Sequence, residues 1–157
     1  QPALVYGVPL KGNLLKLLRA IDKGWFPPLP ETHNKRSLVS LEDVVTAACL
    51  VAEDPRLSDQ IQNPRYIISD GIAYSTRQIY DAMREALGLS PCKGSIPLWF
   101  LSFLAKLPFA GHIVEKLLGS AYYPSDHLQQ SLGWQPSTTL FKSIPAIVAA
   151  YKQGGCP

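Results

Sequence analysis

The sequence predicts an α/β fold that passes into an α-rich lobe. Three observations carry this. Short β-prone runs alternate with amphipathic segments as far as residue 88, and beyond it most segments read as helix. Hydrophobic residues make up 46% of the 157 and charged residues 17%, which supplies one substantial core and excludes a disordered or solvated rod. Only three or four short strands are found, so the sheet reads as incomplete.

The elements follow in order. Residues 2–6 are an apolar run closed by Gly7, consistent with a buried strand. A helix is expected over about 14–23, with Leu14, Leu17, Leu18 and Ile21 on one face, Asn13 as its N-cap and Gly24 at C′. Trp25 to Pro30 holds three prolines in six residues and must be irregular, because proline lacks the amide donor. Arg36 to Ser40 reads as a short strand or turn. Ser40 then opens a helix, with Asp43 three residues on as an approximate capping box. Its buried face is expected to be Leu41, Val44, Val45, Ala48 and Ala52. Tyr66 to Ile68 is a strand ending in the Asp70-Gly71 turn. Ser75 and Gln78 then cap a helix whose face is Ile79, Ala82, Met83, Ala86 and Leu87, stopped by Gly88.

The second half is less regular. Lys93 to Ile96 is a candidate strand, and Pro97 to Leu107 is apolar on nearly all sides. Short helices are expected over His112–Leu118 and Ser125–Leu132, the latter stopped by Gly133. The last helix carries Leu140, Ile144, Ile147, Val148 and Tyr151 but also Pro145. An interior proline costs about 3 kcal/mol. A restart at Ser143, with Pro145 in the first turn, is therefore expected.

Composition removes several function classes. Net charge is +3 and the basic residues are scattered, the densest cluster being His33-Asn34-Lys35-Arg36, so no nucleic-acid face is visible. Three cysteines (Cys49, Cys92, Cys156) form no C-x-x-C and no N-x-S/T sequon occurs, which points to reduced thiols in a cytoplasmic protein. The uncharged stretch Gly94–Ala105 has twelve residues, short of the roughly 20 that a spanning helix needs. The 14 prolines are spread along the chain as joints between short elements. The opening Gln1-Pro2-Ala3-Leu4-Val5 reads as a strand entered halfway, so the chain is expected to be a piece of something longer.

A scan for chemistry returns nothing catalytic. His33, His112 and His127 are isolated, which argues against zinc. There is no H-E-x-x-H, G-x-S-x-G, Walker loop or G-x-G-x-x-G. None of the seven tyrosines has Lys four residues on, where it could lower the phenol's pKa for proton transfer.

Six segments nevertheless fall in a recognisable order. They are P-x-L-V-Y-G (2–7), K-G-N-L (11–14), R-S-L-V-S-L-E-D-V-V (36–45), Y-I-I-S-D-G (66–71), S-T (75–76) and L-G-W-Q-P (132–136). Together they resemble the C-terminal half of the extended short-chain dehydrogenases. The resemblance is to the NAD-dependent nucleotide-sugar epimerases and dehydratases, similar to the UDP-glucose 4-epimerases. It covers residues 2–151. It implies a Rossmann-like α/β fold whose N-terminal cofactor-binding half, with the glycine-rich loop and Tyr-x-x-x-Lys, is absent from the chain. Residues 1–7 and 36–70 would then complete the cofactor sheet, and 8–35 with 71–152 would build the substrate lobe, in a single truncated unit.

The resemblance also assigns residues. Arg36 stands where the family sets an arginine against the substrate diphosphate, and a guanidinium fork matches phosphate oxygens. The alternative is a solvated surface arginine. Asn13 and Leu14 match an Asn-Leu pair that contacts the nucleotide at a helix start, although Asn13 could equally be a plain cap. Lys116 is the only cation near a second expected arginine. Tyr6 and Gly7 match the segment that passes nicotinamide and substrate, or else are simply a strand and its turn. Leu4 replaces a substrate asparagine of the 4-epimerases, and Pro124-Ser125-Asp126-His127 replaces Asp-x-Ser-Lys.

The implied partners are a UDP-sugar, NAD in the complete enzyme but not tightly on this chain alone, and either the absent half or a second copy at an exposed sheet edge. No catalytic or metal-binding residue is assigned. A different class of reading is a non-catalytic interaction module derived from this family. The 97–109 segment is read first as core. The alternative is that Trp99, Phe100, Phe103 and Phe109 dip into a membrane interface, as would suit sugars carried on polyprenyl diphosphate.

Overall fold

A computed structural model describes residues 2–53, 66–92, 94–97 and 119–154, together with Trp99 and Phe103. Its elements are β1 (Leu4–Tyr6), α1 (Gly12–Asp22), β2 (Arg36–Ser40), α2 (Leu41–Glu53), β3 (Ala73–Tyr74), α3 (Thr76–Ala86), α4 (Asp126–Leu132) and α5 (Leu140–Lys152). The strands form one sheet in the order β1-β2-β3. β1 runs parallel to β2, with Leu4, Val5 and Tyr6 opposite Leu38, Val39 and Ser40. β3 is antiparallel to β2, with Tyr74 opposite Arg36. The expected strand at 66–68 contributes a single bridge, Pro2 to Ile68, and its successor Asp70 donates its N–H to Leu38 O at 2.8 Å.

Side chains alternate across a strand, and that alternation builds two cores. Tyr6, Leu38 and Tyr74 face α1, α3 and α5, meeting Leu14, Leu18, Ile21, Ile79, Met83, Leu140 and Ile144. Val5 and Val39 face the other way, onto Ala47 of α2, Leu128 of α4 and Trp134. The sheet is therefore the middle of three layers.

Helix ends follow local chemistry. α1 and α3 both close in Schellman turns. Gly24 (φ 70°) and Gly88 (φ 79°) take the left-handed position. Trp25 N–H reaches Ala20 O at 2.9 Å, and Leu89 N–H reaches Arg84 O at 3.0 Å. The capping box before α3 is complete. Ser75 Oγ accepts from Gln78 N–H at 3.1 Å, while Ser75 N–H donates to Gln78 Oε1 at 2.9 Å.

Several expectations are corrected. α1 begins at Gly12 with Lys11 as its N-cap, so Asn13 lies inside the first turn and is exposed. Ser40 does cap α2, its Oγ accepting from Asp43 N–H at 3.0 Å, but Asp43 does not return the bond. Its Oδ1 accepts instead from Ser137 N–H at 2.8 Å and Ser137 Oγ at 2.7 Å, pinning α2 to the turn after α4. That fixes the rotation of α2. Asp43 and Ala47 turn inward, while Leu41, Val45, Ala48 and Ala52 are exposed, contrary to the predicted face.

α5 does not restart at Ser143. It runs from Leu140 with Pro145 inside it. The cause is a partner for its first amide: Leu140 N–H donates to the Tyr74 hydroxyl at 3.1 Å, and the helix's apolar face is buried from Leu140 onward. Ala73–Tyr74 is a strand the sequence did not signal. Gly94 to Pro97 carries no strand, Ile96 N–H instead reaching Pro28 O at 3.0 Å. Trp99 and Phe103 are 72% and 60% exposed, so these two are not core. The helix expected over 112–118 and most of the 97–109 segment fall outside the described residues. Among the described residues no helix is long and apolar enough to cross a membrane.

Candidate functional site

Arg36 opens β2, half-buried, where the strand meets the N-terminus of α3. Its Nε donates to Thr76 Oγ1 at 3.1 Å. The same hydroxyl accepts from Asn34 Nδ2 at 2.8 Å, and Asn34 Oδ1 accepts from Thr76 N–H at 3.0 Å. Asn34 is buried and also donates to Gly119 O at 3.2 Å. One first-turn threonine and one buried asparagine thus fix the plane of the guanidinium. Burial pushes the Arg36 pKa below its ordinary value, which leaves the group charged at any physiological pH. A fork beside the positive end of an eleven-residue helix favours an anion. Glu31 borders this corner, its carboxylate accepting from Ser75 Oγ at 2.9 Å and His33 N–H at 2.7 Å.

Tyr6 and Gly7 lie at the other end of the ladder. Tyr6 sits opposite Ser40, four residues beyond Arg36 along β2, or about 13 Å at ~3.3 Å per residue. They line a cavity of about 280 Å³ with Ser40, Lys142 and Ser143. The Tyr6 ring is buried, and its hydroxyl is near Ser143 and Asp70 without a well-formed hydrogen bond. Burial and the carboxylates of Asp70 and Asp43 push its pKa far above the ordinary tyrosine value, so it stays protonated. Beside it Tyr74 donates to Asp70 Oδ2 at 2.5 Å, and Asp70 also accepts from Ile72 N–H at 3.1 Å. Desolvation raises the Asp70 pKa despite those bonds.

The residues that the sequence grouped have different surroundings. Arg36 is built into a corner, while Asn13 is exposed on the first turn of α1. Leu14 is 4% exposed and its side chain belongs to the main core. Lys116 lies outside the described residues. Sequence reasoning missed Asn34 and Thr76, which orient Arg36. Asn34 sits two residues away inside the noted basic cluster, and Thr76 stands in the noted S-T segment, but forty residues separate it from Arg36 and nothing local links the two.

No family model matches the chain. A curated protein does: UDP-glucose 4-epimerase of Vibrio cholerae is 31% identical over 156 residues, covering 98% of this chain and 46% of that protein. Among solved structures, the Bordetella bronchiseptica enzyme WbmG, in complex with NAD and UDP, superposes with a TM-score of 0.66 at 16% identity, over 99% of this chain and 44% of that one. UDP-glucose 4-epimerase of Thermotoga maritima, with UDP-glucose, gives 0.64 at 18% identity, over 98% and 45%. The chain resembles the nucleotide-sugar epimerases, and its fold is that of the extended short-chain dehydrogenases. It spans about half the length of the epimerases it matches.

Against that epimerase frame, the fit of this chain to NAD turns on Tyr6 and Gly7. Gly7 packs directly on α2: a Cβ there would stand 3.0 Å from Leu41 Cβ. Tyr6 is 1% exposed. Close packing accounts for both residues.

Proposed function

We propose that this chain is the nucleotide-sugar-binding portion of an NAD-dependent sugar epimerase or dehydratase and is not catalytic by itself. Arg36 carries the reading. It is half-buried at a strand end, oriented by Thr76 and Asn34, and set against a helix N-terminus, an arrangement suited to a diphosphate. WbmG and the Thermotoga maritima epimerase, which share the fold, are described with UDP and UDP-glucose, and a UDP-sugar is the ligand we assign. Exposed Asn13 is available to the nucleotide, and Lys116 is proposed as a second cation. NAD chemistry belongs to the complete enzyme. It would remove a hydride from the sugar and return it, with the hydride-handling residues outside this chain.

Calorimetric titration of UDP tests the assignment. A charge-assisted pair is worth about 1.5–3 kcal/mol, so Arg36→Ala should weaken UDP by roughly 10- to 100-fold. Equal affinity removes Arg36 from the site. A second reading rests on the exposure of Trp99 and Phe103: the sugar is carried on polyprenyl diphosphate and the chain touches a membrane surface.

A further inference from the structure

We propose that the groove between α3 and α5 is a second binding site, for an organic cation of the amidinium or guanidinium class with a flat apolar body. The groove has a volume of about 500 Å³, within the ~300–1,000 Å³ range of small-molecule sites. Its floor is apolar: Ala82 and Ala86 of α3 lie across from Ile144 of α5, which is 3% exposed. Two alanines one turn apart keep α3 from filling the space. One wall is aromatic. The Phe141 ring is exposed on the groove side and held by a T-shaped contact with the buried ring of Tyr74. A planar cation or an aryl group can lie against such a ring.

The sign of the ligand follows from how α3 sorts its charges. Neither arginine of α3 lines the groove. Arg77 donates to Leu29 O at 2.6 Å and Cys92 O at 3.0 Å, and Arg84 donates to Ser90 O at 2.7 Å. Both guanidinium groups also lie over the Tyr80 ring. The carboxylates of Asp81 and Glu85, one turn apart, line the groove instead. Asp81 Oδ2 is taken by Arg77 Nε at 2.7 Å. Glu85 has no ion pair among the described residues, so it brings an uncompensated negative charge to the rim.

α5 adds a neutral acceptor. Pro145 has no N–H to give to Phe141 O, so that carbonyl loses the donor a helix normally supplies, and both residues line the groove. An anion would meet a carboxylate and a carbonyl oxygen. A neutral apolar ligand would cover both without offering a donor. A cation with N–H groups satisfies both while its apolar body covers Ile144 and Phe141. Amidinium and guanidinium present two parallel donors to a carboxylate, which an ammonium group does not.

Calorimetry and amide chemical-shift mapping of the 157-residue chain with benzamidine test the site, with benzamide as the neutral control of the same shape. Benzamidine should bind saturably and shift the amides around Ala82 and Ile144. Benzamide should bind roughly tenfold more weakly, and Glu85→Gln should weaken benzamidine by about the same factor. Ala82→Leu, which fills the floor, should abolish binding of both. UDP affinity, which reports on Arg36, should be the same in wild type and both variants. Absence of saturable benzamidine binding overturns the proposal, as do equal affinities for benzamidine and benzamide. Binding that Glu85→Gln leaves unchanged, or shifts confined to other parts of the chain, also overturns it. A UDP affinity altered by Glu85→Gln would contradict the separation of this groove from the Arg36 corner, whereas failure of the wild-type chain to bind UDP would strike only the function proposed above.

Discussion

Tyr74→Phe removes one oxygen atom from the middle of the molecule and should be among the more damaging conservative substitutions. The ring stays in place, edge-on to Phe141 at 5.1 Å between centroids, so packing is preserved. Two buried hydrogen bonds are lost: the one donated to the Asp70 carboxylate, and the one accepted from Leu140 N–H. A bond to a charged group is worth about 1.5–3 kcal/mol and a neutral one about 1, so the expected loss is about 3 kcal/mol at neutral pH. The pH dependence gives a sharper check. Burial raises the folded Asp70 pKa, so the stability it contributes is full below the unfolded value of about 3.9 and is lost as pH rises through the folded value. The Tyr74 bond partly offsets that penalty, so its removal raises the Asp70 pKa further and costs most where Asp70 is ionised. Urea unfolding of both proteins at pH 7 and near pH 4 measures this. A deficit under about 0.5 kcal/mol at pH 7, or one that does not shrink at acid pH, refutes the reasoning.

The other expectations concern α3 and the exposed aromatics. Ser75→Ala breaks the capping box and the contact with Glu31, and urea unfolding should show a loss of about 1–2 kcal/mol. Gly88→Ala forces a Cβ into the left-handed position at φ 79°, for about 1–2 kcal/mol in the same assay. If the membrane reading is right, Trp99→Asp/Phe103→Asp abolishes co-sedimentation with anionic vesicles without lowering the melting temperature. Equal sedimentation of variant and wild type, bound or unbound, discards it.

Much of the architecture was legible where the signal is local. The Ser75–Gln78 box, the C′ glycines at 24 and 88, and the inward periodicity of α1 and α3 each depend on residues within one or two turns. The errors arise where a distant group decides. Ser137 captures Asp43 across the chain and sets the phase of α2, so of the face that periodicity reads as buried only Val44 packs inward, and Leu41, Val45, Ala48 and Ala52 are exposed. Tyr74 supplies the amide partner for the start of α5 at Leu140. Arg36 could be singled out by its place in an ordered set of segments. That Thr76 and Asn34 aim it becomes visible only once β2 and α3 meet.

The claim that this chain binds a nucleotide-sugar without transforming it is tested most directly in one purified sample. UDP-glucose binding is measured by calorimetry, and conversion to UDP-galactose is followed in the presence of NAD. The account predicts saturable binding that Arg36→Ala weakens at least tenfold, with no conversion. Turnover by these 157 residues, or binding indifferent to Arg36, would contradict it.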